Sequence, residues 1–295
     1  MQMISFTEAL ELALLADDRP VVTDYDIYLR GRGLVAAGTW QGAPMKNLPK
    51  AWDELRLRRA LSRLAMRKAL VQDHDFRSGV WRVVQSTRSG SAEEVACIAD
   101  PFCYVSHLSA MQRYGLSDRS PAALHLTTPT RALWNTLRDK KLADEIAADE
   151  EASTLLVRFG FKEKLRRRPV VVHETRHPSP PSQVRGELTR ISAIGHTFAD
   201  MLSEPALCGG MHHVLDVWDR HARDWADQII PAVDSSESKI VKVRAGHILS
   251  ERLALQSPVV SSWRAFAQRG GSRKLDPETP YEPVYSETWM ISLNV

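Results

Sequence analysis

Cysteine is scarce in this chain: Cys97, Cys103 and Cys208 are the only three in 295 residues. None sits at metal-ligand spacing from another, and an odd, scattered set excludes a disulfide framework and suits a reducing cytoplasm. Long apolar runs are also missing, and nothing approaches the length of a membrane span. The opening stretch, MQMISFTEALELALLADD, is apolar at helical spacing. It carries Glu8 and Glu11 and has no basic start, so it is not expected to be a secretory signal. There is no G-x-S-x-G elbow, no H-E-x-x-H and no P-loop. Internal repeats and low-complexity tails are absent as well. The expectation is a cytoplasmic, non-enzymatic protein with no catalytic residue, metal or cofactor.

What the chain does have is arginine in one place. The whole sequence carries a net charge of only +3, yet Leu55 to Arg88 holds nine bases against two acids, a local +7. In Leu55–Val84, Leu57, Ala60, Leu61, Leu64, Ala65 and Lys68 recur at helical spacing and predict an apolar stripe with a snorkelling end. Arg56, Arg59, Arg63 and Arg67 fall on the other side and predict one exposed guanidinium ridge. Leu70-Val71 then begins a short apolar run. A polar turn, His74 to Gly79, and a β-prone run, Val80 to Val84, follow it. A basic helix followed by a hairpin is the pattern of a recognition helix and wing. Arginine forks grip phosphate or the guanine edge with two bonds. The expected DNA contacts are Arg56, Arg58, Arg59, Arg63, Arg67, Lys68, Arg77 and Arg82.

The segments upstream fit that order. Phe6, Ala9, Leu10, Ala13 and Leu14 predict a first helix capped by Ser5 or Thr7. Thr23 is a good N-cap for a second helix, Asp24 to about Leu29, with Gly31 and Gly33 predicted to stop it. From Gly31 to Trp52 runs an apparent insertion, expected to hold a small strand at Leu34-Val35 and to offer Lys46 and Lys50 to the DNA backbone.

Ser86 to Ser91, STRSGS, is a polar linker and the expected boundary. The fold class expected is α+β, with a winged-helix domain at residues 1–90 and a mixed α/β domain at 96–295 that ends in helices. Within the second, Ser106 caps a helix that Gly115 closes, and Ala123 to Thr127 reads as a strand. Ala132 to Asp149 reads as a helix. Thr154 to Phe159, Val170 to Glu174 and Glu187 to Ser192 read as strands. Two helices, His212 to Ile230 and Ser238 to Leu253, follow.

Three stretches carry a family resemblance. YVSHLSAMQRYGL (Tyr104 to Leu116), with the strand after it, resembles the segment following the winged helix in the AbiEi family of antitoxins and autorepressors. HTFADMLSEPALCGGMHHVLDVW (His196 to Trp218) resembles that family's helix, P-x-L-x-G-G turn and next helix, with Pro205, Leu207, Gly209 and Gly210 at the turn. Lys242 to Leu249 resembles its R-x-G-x-x-L helix. The resemblance implies a DNA-binding N-terminal domain, a C-terminal antitoxin domain and a neighbouring nucleotidyltransferase-like toxin as partner. It also implies repression of its own toxin–antitoxin operon through double-stranded DNA, with inverted repeats as the candidate operator. The Gly31–Trp52 insertion and the long C-terminal tail depart from the family pattern.

Other features keep two readings. Lys162, Lys164, Arg166, Arg167 and Arg168 form a second basic cluster, either a hairpin tip facing water or another nucleic-acid or acidic-partner surface. His212, His213 and His221 lie on one helix without a carboxylate or cysteine to complete a metal set. Arg269 to Lys274, RGGSRK, is a Gly-rich basic loop that reads as a turn, although a nucleotide-processing site is its rival reading. The alternative to DNA binding is a protein–protein module that uses the winged helix for a protein partner.

Overall fold

The computed structural model describes residues 3–146, 154–268 and 273–295. Its elements are mixed α+β, as expected. Ser5 closes β1 (Ile4–Ser5), and its Oγ accepts the Glu8 backbone N–H at 3.2 Å. That cap opens α1 (Phe6–Ala16), which buries Phe6, Ala9, Leu10, Ala13 and Leu14 on one side. After β2 (Val22–Thr23), Thr23 and Asp26 form a reciprocal capping box. The Thr23 Oγ1 accepts the Asp26 N–H at 3.0 Å, and the Asp26 carboxylate accepts the Thr23 N–H at 2.9 Å.

The helix so started does not stop at Gly31 or Gly33. It runs on as α2 (Asp24–Ala37) and ends at Gly38, which takes the left-handed φ of +68°. Gly31 serves close approach instead: a Cβ there would lie 2.3 Å from the Trp52 ring. The indole N–H of Trp52 donates to the Tyr28 carbonyl at 2.9 Å. Leu34 and Val35 are therefore helical, and the rest of the apparent insertion is a hairpin, β3 (Thr39–Trp40) and β4 (Ala43–Lys46). Its two turn residues, Gln41 and Gly42, both have positive φ, as a two-residue hairpin turn requires. β4 pairs with β1 in parallel, and Lys46 and Lys50 are exposed. Then come α3 (Glu54–Met66), β5 (Leu70–Gln72) and β6 (Val80–Val83), with β2, β6 and β5 forming an antiparallel sheet in that order.

The polar stretch before Ser91 leads directly into α4 (Ala92–Ala99), because the Ser91 Oγ accepts the Glu94 N–H at 3.1 Å. β7 (Tyr104–Val105), α5 (His107–Arg113) and β8 (Leu124–Pro129) follow. Gly115, at φ +69°, closes α5 as expected. α6 (Arg131–Ile146) fits the expected helix, whose residues 147–149 lie outside the described residues. Thr154 to Phe159 is not a strand, and Phe159 at φ +65° breaks the extended run. β9 (Lys164–Leu165) and β10 (Arg168–Thr175) make an antiparallel hairpin. β11 (Pro181–Gln183) precedes β12 (Arg190–Ser192), the only extended part of the strand expected at Glu187 to Ser192.

The C-terminal helices are α7 (Ile194–Ser203), α8 (Met211–His221), α9 (Ala226–Ser235), α10 (Lys239–His247) and the short α11 (Pro258–Ser262). The single helix expected at His212 to Ile230 is thus two: a turn at residues 222–225 separates α8 from α9, and α9 continues through Pro231. A π-helical turn, Ile248–Arg252, extends α10, and the hairpin β13 (Tyr285–Ser286) and β14 (Ile291–Ser292) lies near the end.

By contacts the chain forms two units. One comprises Met1–Tyr104, Thr128–Pro178 and Gln183–Arg190, and the other Val105–Thr127, Ser179–Ser182 and Ile191–Val295. Residues 1–90 fall wholly inside the first, whereas residues from 96 onward are shared between both. The first unit's largest core gathers the inner faces of α1, α2 and α3 with Leu70, Val83, Leu142 and Ile146. The second packs α7 to α10 around Phe198 and Trp218, whose rings meet edge-on at 5.3 Å.

The family-like motifs in the second unit have structural work to do. Pro205 starts a 3-10 turn, and Gly209 and Gly210 adopt φ of +94° and +88°. Arg244 is buried and donates to the Leu202 carbonyl at 2.6 Å and to the Lys274 carbonyl at 3.0 Å. Burial pushes its guanidinium down to about 10. A Cβ on Gly246 would lie 2.2 Å from the Trp289 ring. Among the described residues no helix is long and apolar enough to cross a membrane.

The two glycines inside α2 are predicted to respond oppositely to alanine. Gly33 is exposed with nothing near its missing Cβ, so Gly33→Ala raises stability by about 1 kcal/mol through helix propensity. Gly31→Ala drives a methyl into Trp52 and lowers it by about 1–3 kcal/mol. Denaturant melts of the two variants check the signs.

Candidate nucleic-acid interface

The exposure of the candidate interface residues is set by how α3 is held. Asp53 caps the helix, its Oδ1 accepting the Arg56 N–H at 2.7 Å. Leu57, Ala60, Leu61 and Leu64 are buried, which matches the expected stripe. Ala65 is exposed, so the stripe is narrower than expected. Lys68 does not extend it either. The helix ends at Met66, Lys68 takes a left-handed φ of +58°, and the Ala69 N–H reaches back to the Leu64 carbonyl at 2.9 Å.

With the stripe inward, the arginines divide by their partners. Arg58 is exposed and pairs with Glu54 one turn earlier. Arg67 pairs with Glu11 of α1 at 3.0 Å. Arg56 is half-buried in the first turn. Arg59 and Arg63 are exposed one turn apart and have no ion pair among the described residues. Two apolar side chains share the outer face: Leu55 is 55% exposed and Met66 is 84% exposed.

The strands that follow are pinned from both sides. β5 and β6 pair in the register Leu70 to Val83, Val71 to Arg82 and Gln72 to Trp81. Trp81 is part of the support: its indole N–H donates to the Asp24 carboxylate at 2.6 Å. Burial pushes that carboxyl up, against the pull of the Trp81 bond.

The polar turn expected at His74 to Gly79 is more than a polar turn. Phe76 at its centre is buried and forms an antiparallel bridge with Phe161. The Arg77 N–H donates to the Gly160 carbonyl at 2.9 Å, and the Lys162 N–H donates to the Asp75 carbonyl at 2.8 Å. Arg166 completes the attachment. Its guanidinium donates to Asp73 at 2.8 Å and to Asp75 at 2.6 Å, and its backbone N–H reaches Asp75 at 2.8 Å. Burial alone would raise the Asp75 carboxyl, but the bonds from Arg166 outweigh it and hold the group below its ordinary value. Arg77 and Arg82 keep exposed side chains, Arg82 lying 3.9 Å from Asp73.

Sequence spacing does not signal these attachments. Phe76, an aromatic at the centre of a polar turn, was the one available signal. Nothing local in the sequence ties Arg166 to acids ninety positions earlier.

Other chemical candidates resolve into structure. Among the described residues the only metal-like cluster is Asp73, His74 and Asp75, and the Arg166 guanidinium already occupies its carboxylates. His213 is buried against the Ser117 hydroxyl at 2.9 Å. Ser106, His107 and Glu204 form a serine–histidine–carboxylate chain, at 2.8 Å and 3.0 Å, but Ser106 is fully buried and presents no nucleophile. Cys97, Cys103 and Cys208 are buried free thiols, and burial pushes Cys208 well up. The RGGSRK loop has its first four residues outside the described residues; Lys274 donates to the Pro277 and Thr279 carbonyls.

No protein-family model matches the chain, and no curated protein matches it.

The Arg166 attachment is predicted to be a large, pH-dependent contributor to stability. Arg166→Ala leaves Asp73, fully buried, with only the more distant, exposed Arg82 at 3.9 Å, a loss of about 3 kcal/mol. Because the folded Asp75 value is depressed, the pair's contribution is complete from about pH 5 upward and fades as pH falls through the lower folded value. Urea melts at pH 7 and about pH 2 therefore show a deficit that narrows in acid. A deficit of equal size at both pH values rules out the ion pair as its source.

Proposed function

We propose that this chain is a sequence-specific double-stranded-DNA-binding protein, with residues 1–90 acting as a winged helix and α3 as its recognition helix. The observation that carries the reading is the pair Arg59 and Arg63, exposed on one flank of a helix whose opposite side is buried. Element order supports it: three helices and a β2-β6-β5 sheet, with α3 leading directly into a β5–β6 hairpin that bears Arg77 and Arg82. Local charge supports it too, because the two acids of the region, Asp73 and Asp75, are taken up by Arg166. In this reading Arg56, Arg59 and Arg63 enter or flank the major groove, while Arg58, Arg67, Lys68, Arg77 and Arg82 serve the phosphate backbone.

Extending the resemblance to AbiEi proteins, we propose that the DNA is the chain's own operator and that the second unit counters a nucleotidyltransferase-like toxin. The exposed Leu55 and Met66 on the same helix favour a second reading, a protein partner at α3.

Arg59→Ala combined with Arg63→Ala separates them. If each arginine makes a bidentate base contact, operator binding weakens by about 2–6 kcal/mol while scrambled DNA is affected far less. Band-shift titrations measure this, with circular dichroism confirming the fold. Unchanged operator affinity in the folded variant removes α3 as the reader.

A further inference from the structure

The second basic cluster is carried by the β9–β10 hairpin, and that hairpin is fastened to the β5–β6 turn. The Phe76–Phe161 bridge, the Lys162-to-Asp75 backbone bond and the Arg166 ion pairs all join them. Lys162 is also engaged through its side chain, which donates to the His74 carbonyl at 2.9 Å. Lys164 and Arg167 are different. Both are exposed, and neither has a side-chain partner among the described residues.

The turn itself is an unusual choice of residues. Leu165 pairs with Arg168, so the hairpin closes on Arg166 and Arg167 alone. Both have positive φ, +50° and +67°. A two-residue turn of this kind favours Asn-Gly, and the β3–β4 turn in the same unit places Gly42 at the second position. Two arginines in left-handed conformation oppose that preference, and such departures concentrate where a side chain serves something other than the fold. Arg166 is accounted for by Asp73 and Asp75. Arg167 at the apex has no side-chain partner among the described residues. With Lys164 it adds two cations without an ion pair among those residues to a surface that already presents Arg77 and Arg82, opposed within the segment only by Glu163.

We infer that the β9–β10 hairpin is a second DNA-backbone contact, in which Lys164 and Arg167 take phosphates beside those taken by Arg77 and Arg82. This rests on the DNA-binding reading of α3. It assigns the cluster a sequence-independent role, because exposed point charges away from base edges track phosphate.

The test compares the full chain with a Lys164→Ala, Arg167→Gly double variant on a duplex of its own upstream DNA and on scrambled duplex, across a salt series. Glycine suits the turn, so the variant folds, and a thermal melt confirms it. Loss of two phosphate contacts flattens the slope of log affinity against log salt by about 1.8 and weakens binding to both duplexes by roughly ten- to a hundredfold at 0.1 M salt. A charge-keeping variant, Lys164→Arg with Arg167→Lys, retains the wild-type slope. If the neutral variant matches wild type in affinity and slope while the Arg59 and Arg63 variant still loses operator binding, the hairpin contact is wrong and the α3 reading stands. Equal loss in the charge-keeping variant also overturns it, because the effect is then one of turn geometry. Weak, salt-insensitive binding by the wild type overturns the hairpin contact together with the reading it rests on.

Discussion

The burial of one side of α3 is the constraint on which the rest of the candidate interface depends. Leu57, Ala60, Leu61 and Leu64 are at most 8% exposed, and each leucine contributes about 1.5–3 kcal/mol by leaving water. A helix held by such a stripe does not roll about its axis. The rotation that places leucines against α1 and α2 therefore also fixes Arg59 and Arg63 in solvent, at no added cost in desolvation. Asp53 fixes where the helix begins, and the left-handed Lys68 fixes where it ends. The direction of the arginine flank is thus a consequence of core packing and not of any contact the arginines make.

A second, longer-range constraint acts on the hairpin after α3. Asp73 and Asp75 would be an acidic interruption in a basic surface. Arg166 removes it by forming paired bonds with both, and Phe76 adds an apolar anchor beside them. A hairpin of this size would otherwise be held only by a short ladder. The attachment stabilises its turn through residues 160–166, and it does so while leaving the Arg77 and Arg82 side chains exposed, Arg82 at 3.9 Å from Asp73.

Much of the local structure was legible because its causes are local. The caps at Ser5 and Thr23, the apolar faces of α1 and α3, and the closing glycine after α5 each depend on residues within one or two helical turns. The misreadings share the opposite property. Gly31 reads as a helix stop until Trp52 is seen lying against it, twenty-one positions later. Phe76 reads as part of a polar turn until its backbone bridge to Phe161 and its burial are seen. The strand expected at Thr154 to Phe159 has β-prone residues, yet Phe159 takes a left-handed backbone that no propensity signals. For the candidate site, the ridge on α3 was visible from spacing alone, whereas the sorting of its members into paired and unpaired required the partners. Glu11, which holds Arg67, comes from a different helix. The cluster at residues 162–168 was visible as charge, but its place beside the β5–β6 turn was not.

The proposed function of this surface is to read duplex DNA. Its most direct test is equilibrium binding of the purified full chain to the DNA immediately upstream of its own gene, against scrambled duplex, at several salt concentrations. A DNA reader binds its own upstream duplex selectively, with an affinity that falls by roughly 0.9 log units per phosphate contact for each log unit of salt. Equal, weak affinity for both duplexes with little response to salt would contradict it, and would return the arginines of α3 to the role of a solvated face.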